Sequence, residues 1–103
     1  MKIYNKLVRD KIPAIIEIDG KMPEIVCVTG QEISRLLEDK LIEEFNEYLE
    51  DRNLEELADM MEVIFGMASQ LGYTDEELLV ARGKKLEERG GFKEGVFLKS
   101  VRE

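Results

Sequence analysis

Apolar residues recur at helical spacing over most of the chain, and they do so with two different breadths. Between 31 and 51, Ile33, Leu36, Leu37, Leu41, Phe45, Tyr48 and Leu49 form one broad face when each residue is advanced by about 100°. This predicts an amphipathic helix over 31–51, preceded by Thr29 or Gly30. The next stretch, 54–71, is apolar around most of its circumference, with Leu57, Met60, Met61, Ile64, Phe65 and Ala68 on several sides and Val63 on the far side. A helix that is apolar nearly all round is buried nearly all round. "DRN" at 51–53 predicts a bend or break between these two helices, and Gly72 predicts the end of the second.

The flanks follow from shorter signals. "TDEE" at 74–77 is a capping box, so a further helix starts at Thr74 and runs to about 89, where "RGGF" breaks it. Residues 5–19 predict a short helix interrupted or restarted at Pro13, and "DGKMP" a turn. The β-branched run "EIVCVT" at 24–29 and "VFLKSV" at 96–101 predict two short strands that pair as a ribbon. The expected fold is therefore all-α, an antiparallel helical bundle with a small two-stranded β-ribbon, in a single domain spanning 1–103. So small a domain buries surface only moderately well alone. Its all-round apolar helix points to burial across a subunit interface, hence a homodimer or homotetramer.

The polar residues that interrupt this pattern carry the chemical interest. Glu44 falls inside the apolar face of the first long helix, between Leu37 and Leu41 in projection, and Glu47 lies at its edge. Glu55, Glu56, Asp59 and Glu62 fill the narrow polar stripe of the second. Glu44 with Glu47, and Glu56 with Asp59, are matching pairs at a spacing of three, and such pairs project from neighbouring faces. A charge on an apolar face is costly to bury without a partner. Clustered carboxylates also repel and raise one another's pKa. A divalent cation with a preference for hard oxygen ligands, Mg²⁺ or Mn²⁺, would relieve both problems. A solvated acidic stripe is the competing reading, and the pattern alone leaves both open.

Composition narrows the chemistry further. The net charge of −8 argues against a nucleic-acid-binding domain, yet leaves room for a nucleotide bridged by a cation. With no histidine, a His-based zinc site and a Ser–His–Asp triad are excluded, so catalysis must rest on carboxylates, lysines, arginines or a metal. Cys27 is alone, which suits a reducing cytoplasm. No apolar run is long enough for a transmembrane span, and "MKIYNKLVRDKIP" has charges where a signal peptide needs an apolar core.

"EEFNEYL" followed by "EELADMMEVI" resembles the paired ExxE and ExxD motifs of the all-α nucleoside triphosphate pyrophosphohydrolases, the MazG-like proteins and phosphoribosyl-ATP pyrophosphohydrolase among them. "YNKLVRDKIPAII" and "RGGFKEGVFL" are similar to a small MazG-like subgroup labelled phosphoribosyl-ATP pyrophosphohydrolase-like, so the resemblance spans nearly the whole chain. It implies metal ligands at Glu44, Glu47, Glu56 and Asp59. It also implies cleavage of a nucleotide between its α- and β-phosphates, giving the monophosphate and pyrophosphate. Mg²⁺ held by the carboxylates would neutralise phosphate charge and lower the pKa of a water, which a spare carboxylate, Glu43 or Glu47, would orient or deprotonate. Lys85 and Arg89, four apart on the last helix, match basic positions of the subgroup and are expected on the phosphates, as are Arg9 and Lys11 of "LVRDKIP". Tyr4, Tyr48 and Phe92 are the aromatic candidates for stacking on a base, although Tyr48 sits on the apolar face and reads better as core.

Two expectations stay open at this level. House-cleaning of aberrant (d)NTPs is the first choice of substrate and phosphoribosyl-ATP the second; a non-catalytic helical interaction module is the alternative from another class. The sequence also departs from the family in one respect. Only residues 48–55 separate Glu47 from Glu56, so a tight turn near Asp51–Asn53 must bring the two acidic pairs face to face. A continuous helix there would shift attention to Glu43 and Glu62.

Overall fold

A computed structural model describes residues 1–103 and contains four α-helices and no β-strand. They are α1 (Ile12–Ile18), α2 (Gln31–Glu50), α3 (Leu54–Gln70) and α4 (Asp75–Arg89). The all-α expectation holds, and the long helices begin and end within a residue or so of their sequence signals.

Those signals act as the local chemistry requires. Pro13 sits in the first turn of α1, where its missing N–H is no loss, so the helix starts there and residues 5–11 stay non-helical. Gly30 precedes α2 with φ 65°, ψ −138°, a conformation open to glycine. The Asn53 side chain accepts from the Glu56 backbone N–H at 3.0 Å and starts α3. At the end of α3, Tyr73 N–H donates to the Ala68 carbonyl and Gly72 N–H to that of Ser69, both at 3.0 Å. This is a Schellman ending, and it needs the φ of 92° that Gly72 supplies. Thr74 and Glu77 exchange reciprocal side-chain to backbone bonds at 3.1 and 3.0 Å, the capping box of α4.

α2 and α3 form an antiparallel hairpin across the three-residue turn Asp51–Asn53. Leu37 meets Gly66, while Glu44 meets Glu56 and Asp59, so one helix is traversed upward as the other is traversed downward. A Cβ at Gly66 would stand 3.0 Å from Leu37 Cδ2, tighter than ordinary contact, so the Leu37 side chain lies directly over the glycine. Leu37, Val63 and Ala68 are the buried apolar residues. Val63, on the far side of the projection, thus belongs to the core. α4 packs on α3 only, and α1 packs on no other helix.

The predicted ribbon does not form. Residues 24–29 and 96–101 make no backbone hydrogen bond to one another, and their apolar side chains lie open, Val26 at 83% and Phe97 at 84% exposure. The reason is physical: an isolated two-stranded ribbon is marginal without a surface to pack on, and no helix face covers these segments.

The chain is also extended, 63 × 32 × 22 Å with a radius of gyration of 17.9 Å, against about 13 Å for a compact domain of this length. Its accessible surface is 9744 Å², where a compact folded protein of this mass exposes about 5,900 Å². The exposed apolar side chains include Leu54, Leu57, Met61, Ile64 and Leu71 of α3 and its C-cap. No helix is long and apolar enough to cross a membrane.

Candidate metal centre

The turn that the acidic pairs require is present. α2 ends with Asp51 N–H on the Glu47 carbonyl at 3.0 Å, and the Arg52 guanidinium donates to the Leu49 carbonyl at 3.1 Å. Three residues later the Asn53 cap begins α3 and fixes the backbone of Glu56 directly. α2 therefore reaches the turn with Glu44 two helical turns behind it, and α3 leaves with Glu56 and Asp59 on the facing side.

One carboxylate oxygen from each of Glu44, Glu56 and Asp59 lies within 4.8 Å of the others. Glu44 is 6% exposed, and Glu56 and Asp59 are half-buried. Two oxygens in this group, Glu44 Oε2 and Glu56 Oε2, are buried and have no hydrogen-bond partner. Buried carboxylate oxygens almost always have one, so the pair is an anomaly with a direction: both need a donor or a cation.

The electrostatics agree. Burial pushes the Glu44 carboxyl above the ordinary range, Lys40 pulls against it, and the neighbouring Glu47 charge pushes with it. Glu56 is also raised, first by loss of solvent and then by the charges of Asp59, Glu44 and Asp51. Glu43, one residue from Glu44, goes the other way. Lys6 donates to its Oε1 at 2.8 Å and Lys40 to its Oε2 at 3.0 Å, and the Lys6 bond above all holds its carboxyl below the usual range. The same contact raises Lys6. Lys40 also reaches Glu44 Oε1 at 3.3 Å.

The remaining candidates divide plainly. Glu47 is half-buried and close enough to act on Glu44, yet it stands outside the three converging carboxylates. Arg9 reaches the site and donates from Nη2 to Asp59 Oδ1 at 2.7 Å. Lys11, at the start of α1, is exposed and pairs with no acid. Lys85 and Arg89 are exposed on α4, which touches only α3, and neither forms an ion pair with the acids. Glu62 is exposed, and the continuous helix that would have drawn attention to it is absent, since α2 ends at Glu50 and α3 begins at Leu54. Tyr48 is half-buried and stacks on the exposed Phe45 at 6.5 Å, under the Arg52 guanidinium. Phe92 is 97% exposed and Tyr4 carries the Lys2 ammonium over its ring at 5.2 Å.

Two residues escaped the sequence reading. Lys40 precedes Glu43 by three and Glu44 by four, a spacing that itself predicts same-face ion pairs. Lys6 lies 37 residues from Glu43 and carried no local signal.

The donor set is all oxygen, negatively charged, partly desolvated and supplied by two rigid helices, which fits a hard divalent cation such as Mg²⁺ or Mn²⁺. No protein-family model, no curated protein and no solved structure matches the chain.

Proposed function

We propose that the chain is a Mg²⁺-dependent nucleotide pyrophosphohydrolase of the MazG-like kind, cleaving a (d)NTP or related nucleotide between its α- and β-phosphates. One observation carries the reading: Glu44, Glu56 and Asp59 converge within 4.8 Å from two antiparallel helices and leave two buried carboxylate oxygens without a partner. A bound Mg²⁺ supplies charge neutralisation at the polyphosphate and acidifies a coordinated water. The chain's own residues do the rest. Glu44, Glu56 and Asp59 are the ligands, with Glu47 adjoining Glu44 as the fourth. Of the two carboxylates proposed to orient the attacking water, Glu47 is preferred, because it forms no ion pair. Glu43 has both oxygens engaged by ammonium groups, and a carboxyl held low is a weak base. Arg9, paired with Asp59, is the N-terminal positive group proposed to meet the phosphates. Lys11, Lys85 and Arg89 serve there only if a bound nucleotide extends toward α1 and α4.

House-cleaning of aberrant (d)NTPs is the preferred substrate assignment. Phosphoribosyl-ATP is the alternative. The proposed assembly is a homodimer or homotetramer in which a second copy of α3 and α4 completes the bundle. The apolar surface left open on those helices supports it. The same open surface is what favours the competing reading, a helical interaction module without activity.

A panel of NTPs, dNTPs, oxidised and deaminated nucleotides and phosphoribosyl-ATP, assayed for pyrophosphate with Mg²⁺, tests the proposal. Turnover of at least one member is expected. Glu44→Gln and Asp59→Asn should each lower it by about a hundredfold or more while leaving the helical signal intact. Pyrophosphate release from none of them, with no Mg²⁺-dependent rise in melting temperature, leaves the module reading standing.

A further inference from the structure

Arg9 is the one cation of the N-terminal segment that contacts a member of the converging acid cluster. Residues 1–11 are not helical, and two ion pairs pin them to the α2–α3 hairpin: Lys6 to Glu43 and Arg9 to Asp59. The other cation at the cluster, Lys40, is part of α2 itself and only 16% exposed, so it stays with the helix. The Arg9 side chain is 53% exposed and sits at the end of an irregular stretch. It uses one donor on Asp59, and a guanidinium has five in a fork that matches a phosphate.

A divalent cation that draws on Asp59 competes with Arg9 for the same carboxylate. The displaced guanidinium then needs a new anion, and the polyphosphate entering with the cation supplies one. From this geometry we infer that Arg9 is an exchangeable counter-ion that couples cation binding to polyphosphate binding. It holds Asp59 when the site is free of metal and passes to a phosphate when metal and nucleotide arrive together. The inference rests on the metal–nucleotide reading above. It adds a requirement of its own: the segment 1–11 opposes the bare cation and favours the cation–nucleotide pair. Coupling of this kind is reciprocal, so each ligand raises the affinity for the other by one and the same factor.

Calorimetric titration of the full chain with Mn²⁺, and then of the Mn²⁺-saturated chain with an α,β-methylene nucleoside triphosphate, tests it. Arg9→Gln is compared with wild type and with Lys2→Gln. The latter removes an equal charge from a residue that lies over Tyr4 and pairs with no acid. An exposed ion pair is weak, so Arg9→Gln should bind Mn²⁺ alone about two- to fivefold more tightly, beyond any change in Lys2→Gln. It should bind the nucleotide analogue about fivefold or more weakly. The opposite signs are the signature. Unchanged Mn²⁺ affinity with weakened analogue binding makes Arg9 a phosphate ligand only and overturns the coupling. Weakened Mn²⁺ binding makes it a buttress of Asp59 and overturns it equally. A wild-type chain that binds no Mn²⁺ at all refutes the metal reading itself, a result distinct from either.

Discussion

The seam between α2 and α3 and the outer faces of α3 and α4 are built on opposite terms. The seam is polar where apolar residues would be cheaper, and nearly every group in it is placed by something nearby. Asn53 starts the helix that carries Glu56, Gly66 admits Leu37, and Lys40 pairs with acids three and four residues on. The outer faces are apolar where water would favour polar groups. Met61, Ile64, Phe65, Leu78 and Leu79 line an open groove of about 290 Å³. One region holds unsatisfied charge inside the chain, and the other presents unsatisfied apolar surface outside it. In the proposed reading the first takes an ion and the second a protein surface, so the two deficits are separable by experiment.

The largest effect is expected at the outer faces. Light scattering should give the wild-type chain a mass that is a multiple of 11.9 kDa. Replacing Met61 and Ile64 together by lysine should return it to a single chain and remove most of its cooperative melting, because a charge at an apolar interface is not paired. A wild type that is monomeric and melts cooperatively would break the comparison, since the exposed face would then need no cover.

Next comes the seam. Glu44→Met replaces a buried carboxylate by an apolar group of similar length. The metal-free chain should gain about 1–3 kcal/mol, read from its denaturant midpoint, because an unpartnered oxygen and its charge are removed. The same variant should lose its Mn²⁺-dependent rise in melting temperature. Gain of stability with loss of cation response is the pattern of a site held at a cost to the fold. Loss of both would make Glu44 a structural ion-pair member through Lys40.

The helices were legible because each carries a signal near an end: Pro13 in α1, Gly30 before α2, the DRN break before α3 and Gly72 after it, the capping box of α4. Glu44 was legible as an anomaly because helical periodicity alone puts it among leucines. The convergence with Glu56 and Asp59 needed one further fact, the shortness of the 51–53 turn, and the turn signal was in the chain. What was not legible is non-local. Nothing near Lys6 or Arg9 in sequence announces a partner 37 or 50 residues away. The β-prone runs at 24–29 and 96–101 misled because strand propensity measures fit to a packed, pleated surface, and this chain alone provides none.

A milder perturbation tests how far local capping reaches into the site. Asn53→Ala removes the acceptor for Glu56 N–H and should cost about 1 kcal/mol of stability. Because Glu56 sits in that first turn, Mn²⁺ affinity should fall as well, whereas Asn53→Asp should preserve both. Calorimetry on the two variants measures it, and an affinity untouched by Asn53→Ala would separate the cap from the centre.

The smallest effect lies between two adjacent residues of the seam, and its sign follows from their surroundings. Glu43 has its carboxyl lowered from the ordinary 4.5 by Lys6, so it stabilises the fold above that value and the contribution disappears as pH falls through its folded pKa. Glu44 has its carboxyl raised from the same 4.5, so the fold carries no penalty below that pH. Stability is then lost as pH climbs from 4.5 toward the raised value. Glu56 acts in the same sense as Glu44. The metal-free chain should therefore show a shallow maximum in denaturant midpoint near 4.5 from these groups, with opposed slopes on its two sides. Glu44→Gln should flatten the descending limb and Glu43→Gln the ascending one. Added Mn²⁺ should turn the descending limb upward, because deprotonation of Glu44 and Glu56 is what the cation requires. If Mn²⁺ leaves that limb falling, the raised carboxyls mark only burial and no ligand set.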